Sequence, residues 1–185
     1  MFEMIAESMK IPKILLIALT ISFLFIIPFS CQNAQLKPGT AKTNLEFTTW
    51  DNICYDRAAS VWLIIKFVDS TAKFEFVKFG KKIETGVPFD VPGAELGRQR
   101  NFSCFETIVQ KYGISDPVIH KISRIVHDID VNIWGNKVFT FSDSLDLQFK
   151  FQRKEIQDNY LLLDRFANDI DALYLLIQND KIHVE

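Results

Sequence analysis

The chain has 185 residues, of which 48% are hydrophobic and 17 are phenylalanine, so it is long enough for one domain with a substantial aromatic core. Its net charge of −2 and isoelectric point of about 5.9 exclude the strongly basic composition by which many nucleic-acid-binding domains attract phosphates. We therefore expect no nucleic-acid partner.

The N-terminal residues predict an export signal that is separate from the fold. Residues 14–27 form an almost unbroken apolar run, with Lys10 and Lys13 before it. A positively charged flank followed by an apolar centre is typical of secretory signals. The run is short for a membrane span of about 20 residues, so we favour a signal over a permanent span.

Cys31 marks the expected end of this signal. Ser30-Cys31 resembles a lipoprotein cleavage site, at which the cysteine becomes the lipidated first residue. We therefore expect an exported lipoprotein held at the membrane of the cell envelope, in the periplasm, with a plain anchor within residues 1–30 as the alternative. The small polar residues at 31–44 are typical of a tether, and the single compact domain is expected at 45–185.

The first predicted element of the domain is a buried helix over residues 56–68. This segment is apolar almost all round after Arg57, which is typical of a helix packed on every side. We expect Trp62 to lie near the centre of the domain. Asp56 suits the positive end of the helix dipole, and Arg57 is placed to meet an anion or a carboxylate. A purely structural ion pair is an equally good interpretation.

Two short strands should follow this helix. Phe74–Phe79 alternates apolar and polar side chains, and Val87–Val91 is a second, shorter candidate. The domain is therefore predicted to be α+β and mostly helical, with a short two-stranded sheet.

Residues 87–98 predict a stiff loop that carries polar groups. The stretch contains two prolines, which fix φ and donate no amide hydrogen bond, and two glycines. Its charged residues are Asp90, Glu95 and Arg98. Such a loop suits side chains that must be held in fixed places, although a rigid corner between a strand and a helix is the alternative.

The next two helices carry clear start signals. Ser103 and Glu106 form a capping-box pattern, and Asp116-Pro117 suits an N-cap followed by proline at the first helical position. The second helix has an apolar stripe, and its opposite face carries His127. That face also carries His120, about 10 Å away by the helical rise, which is too far for both histidines to ligate one metal ion.

The C-terminal third of the sequence contains one ambiguous segment and one predicted helix. Residues 142–152 alternate like a strand but contain serines that could cap a helix. The final helix is indicated by apolar residues spaced by three or four. This predicted stripe comprises Ile156, Tyr160, Leu163, Ala167, Ile170, Tyr174 and Ile177.

Several short segments, taken together and in this order, resemble a known family. They are Asp56-Arg57 with Trp62-Leu63-Ile64, Pro88-Phe89-Asp90-Val91-Pro92-Gly93, Glu95-Leu96-Gly97, Ser103-Cys104-Phe105, Ile125-Val126-His127-Asp128 with Asp130, and Asp171-Ala172-Leu173-Tyr174. The resemblance covers about residues 50–178 and is to the C-terminal domain of a bacterial chromate-resistance regulator, which is also found alone in exported chromate-resistance proteins. The resemblance implies a mostly helical α+β domain associated with chromate tolerance.

The chain departs from the family at three places that would otherwise supply soft metal ligands. Arg98 stands where the family usually has histidine, Ser60-Val61 where it has Cys-Pro, and Tyr160 where it has histidine. Arginine favours an oxyanion or an internal ion pair over a transition metal. Cys54 and Cys104 either pair in an oxidising envelope or remain buried small residues.

The sequence therefore predicts a non-catalytic, envelope-anchored domain that binds an oxyanion or a metal. The resemblance makes the first helix and the stiff loop neighbours, so we expect a shared cavity there and expect its ion pairs to be internal. No cofactor is identified. An enzyme of unknown type, using the carboxylates of Asp90 and Glu95, and a purely structural interaction module are the alternatives. The candidate ligand-binding residues are Arg57, Asp90, Glu95, Arg98, His127 and Asp130.

Overall fold

A computed structural model describes residues 44–184 of the chain. The predicted signal, Cys31 and nearly all of the tether lie outside these residues. Within residues 44–184, no helix combines the length and the hydropathy that crossing a membrane requires.

The fold is α+β and mostly helical, as predicted, with a small parallel sheet at one side of the helices. Tyr55–Leu63 is continued by a π-helical segment, Ile64–Val68. The elements in chain order are β1 (Glu46–Trp50), α1 (Tyr55–Leu63), β2 (Lys73–Val77), β3 (Val87–Pro88), α2 (Cys104–Lys111), α3 (Pro117–Asp130), α4 (Ser142–Glu155) and α5 (Asn159–Gln178).

The sheet has three strands, one more than the two predicted. β1 is central and pairs in parallel with β2 on one side and β3 on the other. Phe47, Thr48 and Thr49 in β1 are all buried, so both faces of this strand are covered. A strand covered on both faces lacks the alternation of polar and apolar residues that reveals a half-buried strand, which is why the sequence did not indicate it.

Helix α1 forms the centre of the core, and the predicted burial of Trp62 is confirmed. Every residue of α1 is buried. The Trp62 ring packs against Phe67 and Tyr174, with ring centroids 5.9 Å and 6.3 Å away. Its indole Nε1 donates to Asp171 Oδ1 at 2.8 Å, so the one polar atom of the ring is satisfied by α5.

The start signals of α2 and α3 are confirmed. Ser103 and Glu106 form the reciprocal capping box. Asp116 accepts hydrogen bonds from the backbone N–H groups of Val118 and Ile119 at the start of α3. The other carboxylate oxygen of Asp116 accepts from the Tyr174 hydroxyl at 2.8 Å, which joins this cap to α5. The predicted apolar stripe of α3 is buried throughout: Val118, Ile119, Ile122, Ile125, Val126 and Ile129.

The ambiguous segment is helical and forms α4. Leu145 and Phe149, four residues apart, lie on one face and pack on the core. Leu147 and Phe151, also four residues apart, lie on another face and are exposed. An alternation over seven residues therefore consists of two helical pairs, of which only one is buried.

Helix α5 buries a stripe that differs from the predicted one in its first half. Tyr160 is exposed, and Ile156 precedes the helix. The run Leu161-Leu162-Leu163 offers three adjacent apolar positions, so periodicity alone does not decide which of them faces inward. The buried residues of α5 are Leu162, Phe166, Ile170, Leu173 and Ile177.

Candidate functional site

A buried ion pair joins the start of α1 to the end of β3. The Nε atom of Arg57 lies 2.9 Å from Asp90 Oδ2, and both side chains are almost fully buried. This Nε–H does not point at the carboxylate, since Nε has no hydrogen-bond partner. The remaining donors are well used. Nη2 donates to the Asp90 carbonyl oxygen at 2.6 Å, and Nη1 donates to the carbonyl and side-chain oxygens of Asn52 at 2.6 Å and 2.7 Å.

Asp90 is held in an unusual backbone conformation by the stiff loop. Its φ of 48° is in the left-handed region, which aspartate tolerates better than most residues. Its N–H donates to the Leu96 carbonyl at 2.9 Å, and the Cys54 thiol donates to Oδ2 at 3.7 Å. Burial raises the pKa of Asp90 to about 6, although the nearby charge of Arg57 acts in the opposite direction.

Asp56 is fully buried beside this pair and serves a different helix from the one predicted. Its carboxylate accepts from the backbone N–H groups of Cys104 at 2.7 Å and Phe105 at 2.9 Å, in the first turn of α2. Burial and then the negative charges of Asp90 and Asp130 raise the pKa of Asp56, while the two N–H donors act to lower it. Asp56 therefore joins α1 to α2 across the core.

A second ion pair lies at the edge of the same cluster. Arg98 Nη1 is 3.1 Å from Asp130 Oδ2 at the end of α3, and the Arg98 side chain is 42% exposed. Burial raises the pKa of Asp130, opposed by the charges of Arg98 and Arg57. Because the charge of Asp130 also acts on Asp90, the two ion pairs form one electrostatic unit. The structure thus brings together Arg57, Asp90, Arg98 and Asp130.

Glu95 and His127 lie apart from this unit. Glu95 is largely exposed and pairs with Lys111 at the end of α2. His127 Nδ1 is 2.9 Å from Glu106 Oε2, the carboxylate of the capping box. Glu95 thus has a different partner from Asp90, although both belong to the same loop. Ligand binding by any of these residues remains a prediction.

The two described cysteines are free thiols. The thiol of Cys54 donates to Asp90, whereas that of Cys104 donates to the Leu96 carbonyl oxygen at 3.1 Å. Burial raises the pKa of both thiols above the usual range for cysteine. Both groups therefore stay protonated at neutral pH, which makes them weak nucleophiles.

Within residues 44–184, no group of three or more His, Cys, Asp and Glu side chains is placed to hold a metal ion. Three contributors to the site, Asn52, Cys54 and Asp56, were not among the predicted site residues. Asn52 and Cys54 carried no sequence signal. Asp56 did carry a sequence signal, since it is a carboxylate at the start of an otherwise apolar helix. Its hydrogen-bond donor, the backbone N–H of Cys104, lies 48 residues further along the chain.

Comparison with known proteins places this chain in a family. The family described as ChrB, C-terminal domain matches residues 47–177, from β1 to α5. Protein ChrB of Cupriavidus metallidurans (strain ATCC 43123 / DSM 2839 / NBRC 102507 / CH34) is 23% identical over 144 residues, which cover 77% of this chain and 44% of that protein. The chain therefore spans less than half the length of this curated relative. No solved structure matches the chain.

Proposed function

Because this chain belongs to the ChrB C-terminal domain family of chromate-resistance proteins, we propose that it is a non-catalytic domain that contributes to chromate tolerance. It is held at the cell envelope and binds a tetrahedral oxyanion at the Arg98 end of the site. The observation that carries the proposal is the Arg98–Asp130 ion pair, in which the Arg98 side chain is 42% exposed and the Asp130 side chain is 20% exposed.

The balance of charge in the site supports an exchange of partners at Arg98. Three carboxylates, those of Asp56, Asp90 and Asp130, act on one another near two guanidiniums, and the pKa of each carboxylate is raised. Asp130 therefore takes up a proton more readily than an ordinary aspartate. Once protonated, it releases the Arg98 guanidinium to an incoming oxyanion, with which arginine forms charge-assisted hydrogen bonds.

Arg57 has a different part in this proposal. Its guanidinium is buried, and its Nη1 and Nη2 atoms are engaged by Asn52 and the Asp90 backbone. Exchange of a partner there would leave a buried carboxylate or a buried cation unpaired, which is costly. Arg57 thus fixes the position of Asp90 and adds positive charge that acts on Asp130, while Arg98 makes the contact with the ligand.

The state of the thiols favours binding of the oxyanion over its reduction. Cys54 and Cys104 are protonated at neutral pH because burial raises their pKa. A protonated thiol transfers its electrons far less readily than a thiolate. Envelope attachment is supported by the sequence, through the apolar run at 14–27 and Cys31.

Calorimetric titration of the full-length chain in detergent micelles tests the proposal. Chromate should bind saturably, and more tightly as the pH is lowered, because the pKa of Asp130 is raised and its protonation frees Arg98. Arg98→Gln should weaken binding roughly 10- to 100-fold, since a charge-assisted hydrogen bond contributes about 1.5–3 kcal/mol. Arg165→Gln, at an exposed position on α5, is the matched control.

The same variants should separate in cells. A chromate-sensitive strain that carries the wild-type chain or Arg165→Gln should gain tolerance, and one that carries Arg98→Gln should not. The proposal is refuted if chromate shows no saturable binding to the wild-type chain, or if Arg98→Gln binds as tightly. Sulfate, titrated in parallel, shows whether the site discriminates between oxyanions of the same shape.

A further inference from the structure

The loop between α3 and α4 presents apolar side chains to solvent. Trp134 is 94% exposed, Val138 65% and Ile133 52%. Other residues of the same loop pack inward: Phe139 is buried and stacks on Phe141, with ring centroids 5.7 Å apart. Its inner aromatic residues pack on the domain while Ile133 and Trp134 point away from it, and such an exposed apolar patch marks an interaction surface.

The exposed tip is held in place by the buried carboxylate of Asp128. Oδ1 accepts from the Asn132 side chain and the Val138 N–H, both at 2.9 Å, and Oδ2 accepts from the Phe139 N–H at 3.1 Å. These hydrogen bonds outweigh the effect of burial and lower the pKa of Asp128. The two ends of the loop are therefore tied to one charged group, and the tip projects from a fixed base.

Lys137 closes the loop from its other side. Its ammonium donates to the carbonyl oxygens of Asp128 at 2.6 Å and Asn132 at 3.1 Å, at the C-terminal end of α3. A cation at that end of a helix also complements the helix dipole. The loop thus uses a carboxylate and an ammonium group to hold its own conformation. The exposed apolar side chains of Ile133 and Trp134, in contrast, have no such structural role within residues 44–184.

We propose that Ile133 and Trp134 insert into the interfacial region of the lipid bilayer to which the chain is anchored. Tryptophan is enriched at membrane interfaces because its ring is apolar and its N–H is polar. Residues 131–141 contain one positive charge, that of Lys137, and no carboxylate. Insertion of this loop therefore desolvates none of its own acidic groups, and the charge of Lys137 does not oppose approach to an anionic lipid surface.

The position of the domain along the chain makes the bilayer the natural partner. This step rests on the anchoring part of the proposed function. Residues 28–43 separate the apolar run from the first described residue, and a chain of that length spans at most roughly 55 Å when fully extended. The domain therefore stays within reach of the bilayer surface. The loop that carries Ile133 and Trp134 is held in place, so it determines which side of the domain faces the lipid.

Fluorescence quenching tests the insertion independently of the anchor. The full-length chain with a C-terminal polyhistidine tag is held on vesicles of phosphatidylcholine and phosphatidylglycerol by a nickel-chelating lipid. Lipids brominated near the headgroup then report which tryptophans reach the interface. Trp134 is one of three tryptophans, and Trp62 is buried in the core. The wild-type chain should lose more of its emission than Trp134→Phe, by up to about a third, because the half-buried Trp50 and the buried Trp62 are common to both.

Three outcomes are distinguishable in this experiment. Retention of Trp134→Phe on the vesicles after imidazole elution measures the natural anchor without the inserted tryptophan. Equal quenching of the wild-type chain and Trp134→Phe overturns the insertion, whether or not the anchor holds. Absent quenching of the wild-type chain also overturns it, and cross-linking of two copies through Trp134→Cys then favours a protein partner. Unchanged thermal unfolding of Trp134→Phe confirms that the exposed ring contributes nothing to the fold.

Discussion

The ionisation of Asp90 should control part of the pH dependence of folding. Two effects compete at this residue, because burial opposes the carboxylate while Arg57 favours it. The net result is a pKa raised from 3.8 to about 6. The folded protein therefore binds this proton more tightly than the unfolded chain. The stability that the proton confers is complete below about pH 4 and is lost as the pH rises through about 6.

The magnitude follows from the size of the shift. Each unit of pKa corresponds to about 1.4 kcal/mol, so the rise from 3.8 to about 6 corresponds to a total of about 3 kcal/mol. About 2 kcal/mol of this should be lost between pH 4.5 and pH 7.5. Asp90→Asn keeps the shape and tolerates the left-handed backbone, but it has no proton to lose. Its free energy of unfolding should therefore lack this component.

Urea unfolding of the wild-type chain and Asp90→Asn at several pH values provides the measurement. The difference between their free energies of unfolding should move by about 2 kcal/mol across this range, in favour of the variant at higher pH. Asp164→Asn, at an exposed position on α5, controls for the loss of a negative charge. If the wild-type chain instead gains stability relative to Asp90→Asn as the pH rises, the Arg57 ion pair outweighs burial and the reasoning is wrong.

Other expectations follow from the packing and the sequence. Arg57→Ala should lower the free energy of unfolding by about 3–5 kcal/mol in chemical denaturation, because it leaves buried acceptors and a buried carboxyl group unpaired. Arg98→Ala removes one partner of a partly exposed ion pair and should lower it by less than about 1 kcal/mol. Similar losses for the two variants would contradict the burial of the Arg57–Asp90 pair. Trp62→Ala should cost about 3–5 kcal/mol, and an unchanged melting temperature would contradict its place in the core. Radiolabelled palmitate should enter the chain and be absent from Cys31→Ala, and unlabelled full-length chain in the soluble fraction would refute lipidation.

Local signals explain most of what the sequence predicted correctly. The capping box of α2 and the Asp-Pro start of α3 act within four residues, so their chemistry is readable from the chain alone. The buried stripe of α3 is similarly local, because it repeats along one helix. In contrast, β1 is buried on both faces and has no periodic pattern, and the face of α5 depended on which of three consecutive leucines packs inward.

The site was predictable only in part, for a related reason. Arg57, Asp90, Arg98 and Asp130 carry charges in otherwise apolar or stiff surroundings, and the structure brings them together. The partners of Asp56 are backbone N–H groups, which are the same in every residue and leave no trace in the sequence. Glu95 carries the same charge as Asp90 on the same loop, yet only the fold determines that one is buried and the other is exposed.

The central position of β1 determines how a pull on the N-terminal segment would load the domain. The chain enters the described residues at Asn44, directly before β1, and β1 is bonded on both sides by β2 and β3. Hydrogen bonds from the Asn44 and Leu45 N–H groups to Thr71 and Asp69, at 3.0 Å and 2.9 Å, fasten the point of entry. Force along the strand would shear two ladders at once instead of opening one bond after another. A domain built in this way should resist a pull on its N-terminal end better than its small sheet suggests.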